Sequence, residues 1–287
     1  TLERAVGSAL GQEGVAVEVI VVDDASSDGT ADVARRLTKD ARVRVLGMVR
    51  NGGPAAARNR ALDVARGRWV AVLDADDAML PDRLARLCAL ASARRADMVL
   101  GNLATAEGGR PFVPLPPAPR RIGLRDWIAA NRAAANAPTP GYLKPLMSRD
   151  FLMAHGLRYD ETLRNGEDFH LVLAVLAAGG KVWLSPRADY VYARHAGSVS
   201  HRADPAQMAA LAAADCRFAA QHDDPAIARM LRRRAGAILR LASAERAIAA
   251  LRRGRIGAAT GVMLRHPAAL PRMVRQLGCG LRRRLQP

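Results

Sequence analysis

The first hundred residues repeat one unit: a short β-branched apolar run, an acidic or glycine-rich junction, then an amphipathic segment of helical period. Val17 to Val22, Val43 to Val49, Trp69 to Leu73 and Met98 to Leu103 read as strands. Leu2 to Leu10, Thr30 to Thr38, Pro54 to Arg66 and Pro81 to Arg94 read as the helices between them, with Pro54 and Pro81 suited to first helical turns. Strands that alternate with helices form βαβ units around a parallel sheet, so this half is expected to be α/β.

Gly108 to Pro119 holds five prolines and reads as a crossing loop or linker. Beyond it the pattern predicts a helix near Leu124 to Ala134, a less regular stretch to Arg149 and a helix from Glu167 to Ala178. A strand pair near Val182 to Leu184 and Tyr190 to Ala193 follows, and from Pro205 the chain is Ala-rich and helical. The predicted organisation is a domain over 1–203, with halves at 1–107 and 120–203, and a basic helical region over 204–287.

The chain has 287 residues, of which 50% are hydrophobic, which is ample for a packed core. Its longest apolar run, Leu171 to Ala178, falls well short of the roughly 18 residues that a spanning helix needs. Cys88, Cys216 and Cys279 are far apart and form no C-x-x-C pair, which argues against a disulfide framework or structural zinc and fits a reducing cytoplasm. The chain opens at Thr1 inside a predicted helix, with neither an initiator Met nor a signal-peptide pattern, which points to a preceding segment.

The formal charge is +17, and Pro225 to Pro287 carries fifteen Arg against the single acid Glu245. Lys39, Lys144 and Lys181 are the only lysines among 44 basic residues. Two stripes run through this tail: Ile227, Leu231, Ile238, Leu241 and Ile248, then Leu270, Met273, Leu277, Leu281 and Leu285. They suit an Ala-rich helical subdomain packed on a core, or a helix pair lying on anionic lipid. Nucleic acid is not expected, because no aromatic interleaving or reader motif accompanies the arginines.

Chemistry concentrates at strand ends. Asp23, Asp24, Ser26, Ser27 and Asp28 follow the run ending at Val22, where ligands sit in an open α/β sheet. Such residues serve as ordinary turns and caps, or accept hydrogen bonds from a base or ribose. Asp74, Asp76 and Asp77 close the next central run, and three carboxylates in four residues call for a compensating cation. Alternation turns Asp74 and Asp76 the same way, toward one hard ion such as Mg²⁺ or Mn²⁺. Asn51 to Asn59 links a strand end to a helix through Gly52-Gly53-Pro54 and places Arg58 at the same edge. There is no G-x-x-x-x-G-K-[ST] and no G-x-G-x-x-G after a strand, so a P-loop ATPase or nicotinamide dehydrogenase is unsupported. Glu167 and Asp168 start a helix, where they complement its dipole or, at a cleft edge, serve a general base. His195 falls in a loop, either as a surface histidine or as a metal or phosphate contact.

Together, VVDDASSDGT at 21–30, NGGPAAARNRALDVARGRWVAVLDADD at 51–77 and NGEDF at 165–169 closely resemble the family 2 glycosyltransferases of GT-A fold. The resemblance covers about Thr1 to Ser200, and the RHAGSVS string is similar to a segment that ends the core in many bacterial members. It implies a Rossmann-type mixed sheet flanked by helices, and inverting, metal-dependent transfer of a sugar from a nucleoside diphosphate, a UDP-sugar by preference, to a glycan or lipid-linked hydroxyl. By that resemblance Asp24 contacts the base with Asp23 and Ser26 nearby, Arg58 and Asp74 join the nucleotide-sugar side, and Asp76 is the main metal ligand, aided by Asp74 and His195. Asp168 is the base, positioned by Glu167. Family members begin with a strand carrying a P-x-Y-N-like segment, and this chain starts after it. The implied setting is surface-polysaccharide assembly in the cytoplasm, peripheral to the inner face of the cell membrane. A sugar-nucleotide pyrophosphorylase and a non-catalytic lipid-binding scaffold are the competing readings.

Overall fold

The computed structural model describes residues 1–105, 109–132, 139–193 and 204–265. They form two compact units, one built from 1–131 with 139–193 and the other from 204–265.

The first unit opens with α1 (Leu2–Leu10), whose buried Leu2, Ala5, Val6 and Ala9 recur at the spacing of one helix face. β1 (Val19–Asp23), α2 (Thr30–Leu37) and β2 (Val43–Gly47) follow. β1 and β2 pair in parallel, from Val19 opposite Val43 to Asp23 opposite Gly47. Leu2, Val6, Ala34 and Val43 form the core of this βαβ unit. The chain continues through α3 (Pro54–Val64), β3 (Trp69–Ala71), β4 (Ala78–Met79), α4 (Arg83–Arg94), β5 (Met98–Thr105) and β6 (Arg120–Ile122). It ends with α5 (Leu124–Ala130), β7 (Lys144–Ser148), α6 (Arg149–Ala154), α7 (Glu167–Ala177) and β8 (Val182–Tyr192).

The second sheet has the order β3-β7-β5-β8-β4, with β6 also on β8. β5 and β8 run parallel, whereas β7 is antiparallel to both its neighbours and β4 and β6 are antiparallel to β8. The sheet is therefore mixed, not parallel throughout. β7 occupies the stretch read as irregular, because Pro145 in a central strand contradicts the usual confinement of proline to edges. Here the Pro145 carbonyl accepts from the Val72 N–H at 3.4 Å. The expected strand pair after Gly180 is one strand, β8, whose register against β5 shifts at Asn102 and so absorbs Ser185-Pro186-Arg187. The described part of the proline-rich loop folds back along β5, where Phe112 N–H donates to the Leu103 carbonyl at 2.7 Å.

Among the described residues β1 pairs only with β2, and β3 only with β7. A mainly apolar cavity of about 600 Å³, lined by Val6, Val19, Val21, Ala57, Val70 and Leu146, touches both strands, and Arg58 and Asp74 also line it.

The second unit comprises α8 (Pro205–Gln221), α9 (Pro225–Arg252) and α10 (Ile256–Arg265). Asp204 and Asp224 cap α8 and α9 by accepting from Ala206 and Ala226 N–H, each followed by a first-turn proline. Ile227, Leu231, Ile238 and Ile248 are buried. Ile238 packs with Ala212 and Ala235, and Ile248 with Ala247, Leu251 and Val262. Four of the five residues of the first stripe are thus buried and Leu241 is half-buried, which favours the helical-subdomain reading of that stripe over a lipid face. Arg234 pairs with the fully buried Asp215 at 2.6 Å. The second stripe, from Leu270 to Leu285, lies outside the described residues, as do His195 and Cys279. Among the described residues no helix is long and apolar enough to cross a membrane.

Candidate active site

Four sequence-predicted residues meet in one ion cluster. α3 carries Arg58, the segment after β3 carries Asp74, and the first turn of α7 carries Glu167 and Asp168. Arg58 Nη1 donates to Glu167 Oε1 at 2.7 Å and Asp168 Oδ1 at 2.9 Å, while Nη2 donates to Asp74 Oδ1 at 2.8 Å. The fifth member is Lys144, the first residue of β7, which sequence reasoning missed. Its Nζ lies 2.8 Å from Asp74 Oδ2 and 3.3 Å from Asp168 Oδ2. A signal was present in its rarity, as one of three lysines in an arginine-dominated chain; in the fold it is only 6% exposed.

Local structure explains the convergence. Gly53, at φ 85, turns the chain into α3, and Pro54 fills the first helical turn. Asn59, the next residue after Arg58, clamps the loop before α7: its Oδ1 accepts from Tyr159 N–H at 2.9 Å, and its Nδ2 donates to the Tyr159 carbonyl at 3.0 Å and to Glu161 Oε1 at 2.9 Å. The Arg58 guanidinium lies 5.4 Å from the Tyr159 ring centroid. Gly166, left-handed at φ 83, presents Glu167 and Asp168 at the positive end of α7. Trp127 Nε1 donates to the Phe169 carbonyl at 3.1 Å and its ring stacks on Phe169, which holds that helix start in place.

The cluster places three carboxylates against two cations in a largely buried site. Burial disfavours the charged form of Asp74, but Lys144 and Arg58 outweigh it and hold the carboxyl well below the usual range. Burial likewise opposes the charges on Lys144 and Arg58, and Asp168 and Asp74 reverse this, raising both above their ordinary values. Glu167 goes the other way: burial and then the Asp168 charge raise it, so it takes up a proton more readily than an ordinary glutamate.

The rim around Asp74 is braced by Tyr190. Its hydroxyl donates to Asp77 Oδ2 at 2.7 Å and accepts from Asp74 N–H at 2.9 Å, while Asp77 Oδ1 accepts from Ala193 N–H. Burial pushes Asp77 up to about 6, against the pull of these donors. Asp76 follows two residues after Asp74, and its carbonyl accepts from Arg4.

Asp23, Asp24 and Ser26 stand in a separate loop. Asp24 accepts from the N–H groups of Gly52 and Gly53 at 2.6 and 2.7 Å, tying that loop to the segment that enters α3. Asp23 Oδ1 accepts from Ser26 N–H at 3.2 Å, closing a turn in which Ala25 has φ 56, an uncommon conformation for a residue with a Cβ. Asp28 accepts from Thr30 N–H at 3.0 Å in the turn that leads into α2, whose N-cap position is Gly29.

No three His, Cys, Asp or Glu side chains gather as a metal site among the described residues. Asp74 has each oxygen engaged by a cation, and Asp77 each by a protein donor.

The model of Glycosyl transferase family 2 matches residues 1–146. The succinoglycan biosynthesis protein ExoO of Rhizobium meliloti is 41% identical over 223 residues, covering 76% of this chain and 64% of the relative. ExoU of the same organism is 35% identical over 284 residues, covering 96% and 82%. Among solved structures, S. aureus TarS 1–349 in complex with UDP-GlcNAc aligns with TM-score 0.64 at 20% identity, over 80% of this chain and 66% of that one. Mannosyltransferase PcManGT from Pyrobaculum calidifontis, in complex with GDP-Man and Mn²⁺, aligns with TM-score 0.57 at 20% identity, over 99% and 76%. These likenesses give the α/β unit a GT-A fold. With the family model spanning half the sequence and a curated relative matched along nearly all of it, the chain belongs to glycosyl transferase family 2.

Proposed function

We propose that the protein transfers a sugar from a nucleoside diphosphate to a hydroxyl of a glycan or lipid-linked acceptor, with inversion, in polysaccharide assembly. The observation that carries this reading is the ion cluster, which puts the acids of α7 beside the carboxylate that ends the β3 run. The names of ExoO and ExoU support the polysaccharide setting, and the nucleotides in the TarS complexes favour a UDP-sugar.

In this reading Asp168 accepts the proton of the acceptor hydroxyl as its oxygen attacks the anomeric carbon, and the diphosphate leaves from the opposite face. Glu167, which accepts from the same Arg58 nitrogen as Asp168, helps to position that carboxylate. Arg58 and Lys144 keep Asp168 and Asp74 at fixed separation. Asp24, with Asp23 and Ser26, serves the nucleoside side through the Gly52-Gly53 loop that it holds. A divalent cation, held by Asp76 and the diphosphate, supplies charge neutralisation on the leaving group when bound.

The reading is tested by nucleotide release and transfer across UDP-, GDP- and dTDP-sugars. A pyrophosphorylase would instead form pyrophosphate-dependent product, and a scaffold would turn over nothing. Chelation with EDTA is expected to bring turnover to background and to weaken UDP binding in calorimetry, with Mn²⁺ or Mg²⁺ restoring both. Unchanged turnover and binding after chelation would remove the cation from the account.

The reading also places the protein at the cytoplasmic face of the membrane. With the first apolar stripe mostly buried, the described part of this unit offers charge: Arg229, Arg232, Arg233 and Arg240 are exposed on α9. Sedimentation with phosphatidylglycerol vesicles is expected at low salt, lost at high salt and lost when these four become Gln. Equal binding to neutral and anionic vesicles would contradict it.

A further inference from the structure

We infer that Lys144 is a positioning residue that fixes the plane of the Asp168 carboxylate and locks it to the donor-side Asp74; the inference rests on the function proposed above. The observation is a two-sided grip. Arg58 holds Oδ1 of Asp168 and Oδ1 of Asp74, while Lys144 holds Oδ2 of both. A carboxylate bound through one oxygen can swing about its Cβ–Cγ bond. Bound through both, it keeps one plane, and its remaining lone pairs keep one direction. A base that must meet an acceptor hydroxyl in line with a departing diphosphate needs that constraint.

The backbone that carries this ammonium is itself anchored from behind. Lys144 pairs with Gly101 in the β5–β7 register, and the Lys144 carbonyl accepts from Arg83 Nη2 at 3.0 Å. Arg83 is buried and ion-paired to the fully buried Asp189. Gly101 leaves the room this needs, since a Cβ there would fall 2.3 Å from Arg83 Nη2. Arg83 also lies against the ring of Tyr190, at 5.3 Å from its centroid, and the Tyr190 hydroxyl holds the Asp74 N–H. One buried arginine therefore braces both the strand that supplies Lys144 and the residue that seats Asp74. Sequence position gives Lys144 no obvious link to either acid; the antiparallel insertion of β7 beside β3 creates it.

The test uses the full chain and its Lys144→Met, Lys144→Gln and Lys144→Arg variants, with Asp168→Asn as reference. Turnover is read as nucleotide release from whichever of UDP-glucose, UDP-GlcNAc, GDP-mannose and dTDP-glucose the unaltered chain consumes. Affinity is read by calorimetry with the matching nucleoside diphosphate and Mn²⁺. The neutral variants are expected to lose about 100-fold in kcat with nucleotide affinity within about threefold, because the base is misplaced while the donor site is kept. Lys144→Arg, which retains the charge, should recover to within about tenfold of the unaltered chain. If Lys144→Met does not fold, the Gln and Arg variants give the same comparison. The inference is overturned if a folded neutral variant keeps kcat within about threefold, if kcat and affinity fall by the same factor, or if Lys144→Arg is as impaired as the neutral variants. A dead Asp168→Asn beside an active Lys144→Met removes Lys144 alone, whereas no release by the unaltered chain overturns the proposed function and this inference together.

Discussion

Asp168→Asn is expected to lower transfer by about 10³-fold while nucleotide affinity stays within about threefold, because a general base contributes roughly 10²- to 10⁴-fold and touches the acceptor's proton, not the nucleotide. The neutral amide keeps the shape and can still hydrogen-bond to Arg58 but cannot take a proton. Glu167→Gln provides the contrast. Burial and the neighbouring Asp168 charge raise Glu167 above an ordinary glutamate, and an uncharged isostere relieves that repulsion while keeping the side chain's shape. Its loss should stay within about tenfold. The two substitutions, measured by steady-state kinetics and calorimetry, separate the acids that share one helix turn. Equal loss in both, or full turnover by Asp168→Asn, contradicts the assignment.

Arg58→Met is expected to reduce both stability and turnover. The guanidinium serves three carboxylates, of which Glu167 and Asp168 are buried, and without it Lys144 is the one cluster cation left beside them. Removing one partner of a buried pair costs about 3–5 kcal/mol, because the desolvated charge that remains has lost its compensation. In a unit of this size that corresponds to a Tm fall of roughly 10 °C. The loss should be smaller when Asp168→Asn is made on the same background, since one of the stranded charges is gone, so the two effects are not additive. A Tm within about 2 °C of the unaltered chain would show that the cluster does not stabilise the fold.

Local patterning revealed the elements of the first hundred residues except the two-residue strand β4. α1 spans Leu2–Leu10 as its periodicity predicts, and α2 and α3 start at Thr30 and Pro54, where cap and proline signals place them. What patterning hid was pairing. Pro145 disguised β7, and the Ser-Pro-Arg interruption made β8 look like two strands. The consequence reached the site: with β7 unread, nothing brought Lys144 to Asp74. The acid motifs were legible because they follow apolar runs or open a helix, and Arg58 because it sits in a glycine-led helix entry. The division of labour among them was not legible. Asp24 holds the Gly52 and Gly53 amides, and Asp74 lies between two cations, and neither partner set can be read from spacing along the chain. The Ala-rich tail shows the same limit, since an apolar stripe looks alike whether it meets lipid or another helix, and only the packing of Ile238 against Ala212 and Ala235 distinguishes them.

The most direct test of the account is the anomeric configuration of the product. Donors with an α-linked nucleoside diphosphate are incubated with the chain, its acceptor and Mn²⁺, and the anomeric proton of the transferred sugar is read by NMR. One base on the acceptor side and one departing diphosphate require a β-linkage; an α-linked product would contradict the single displacement assigned to Asp168.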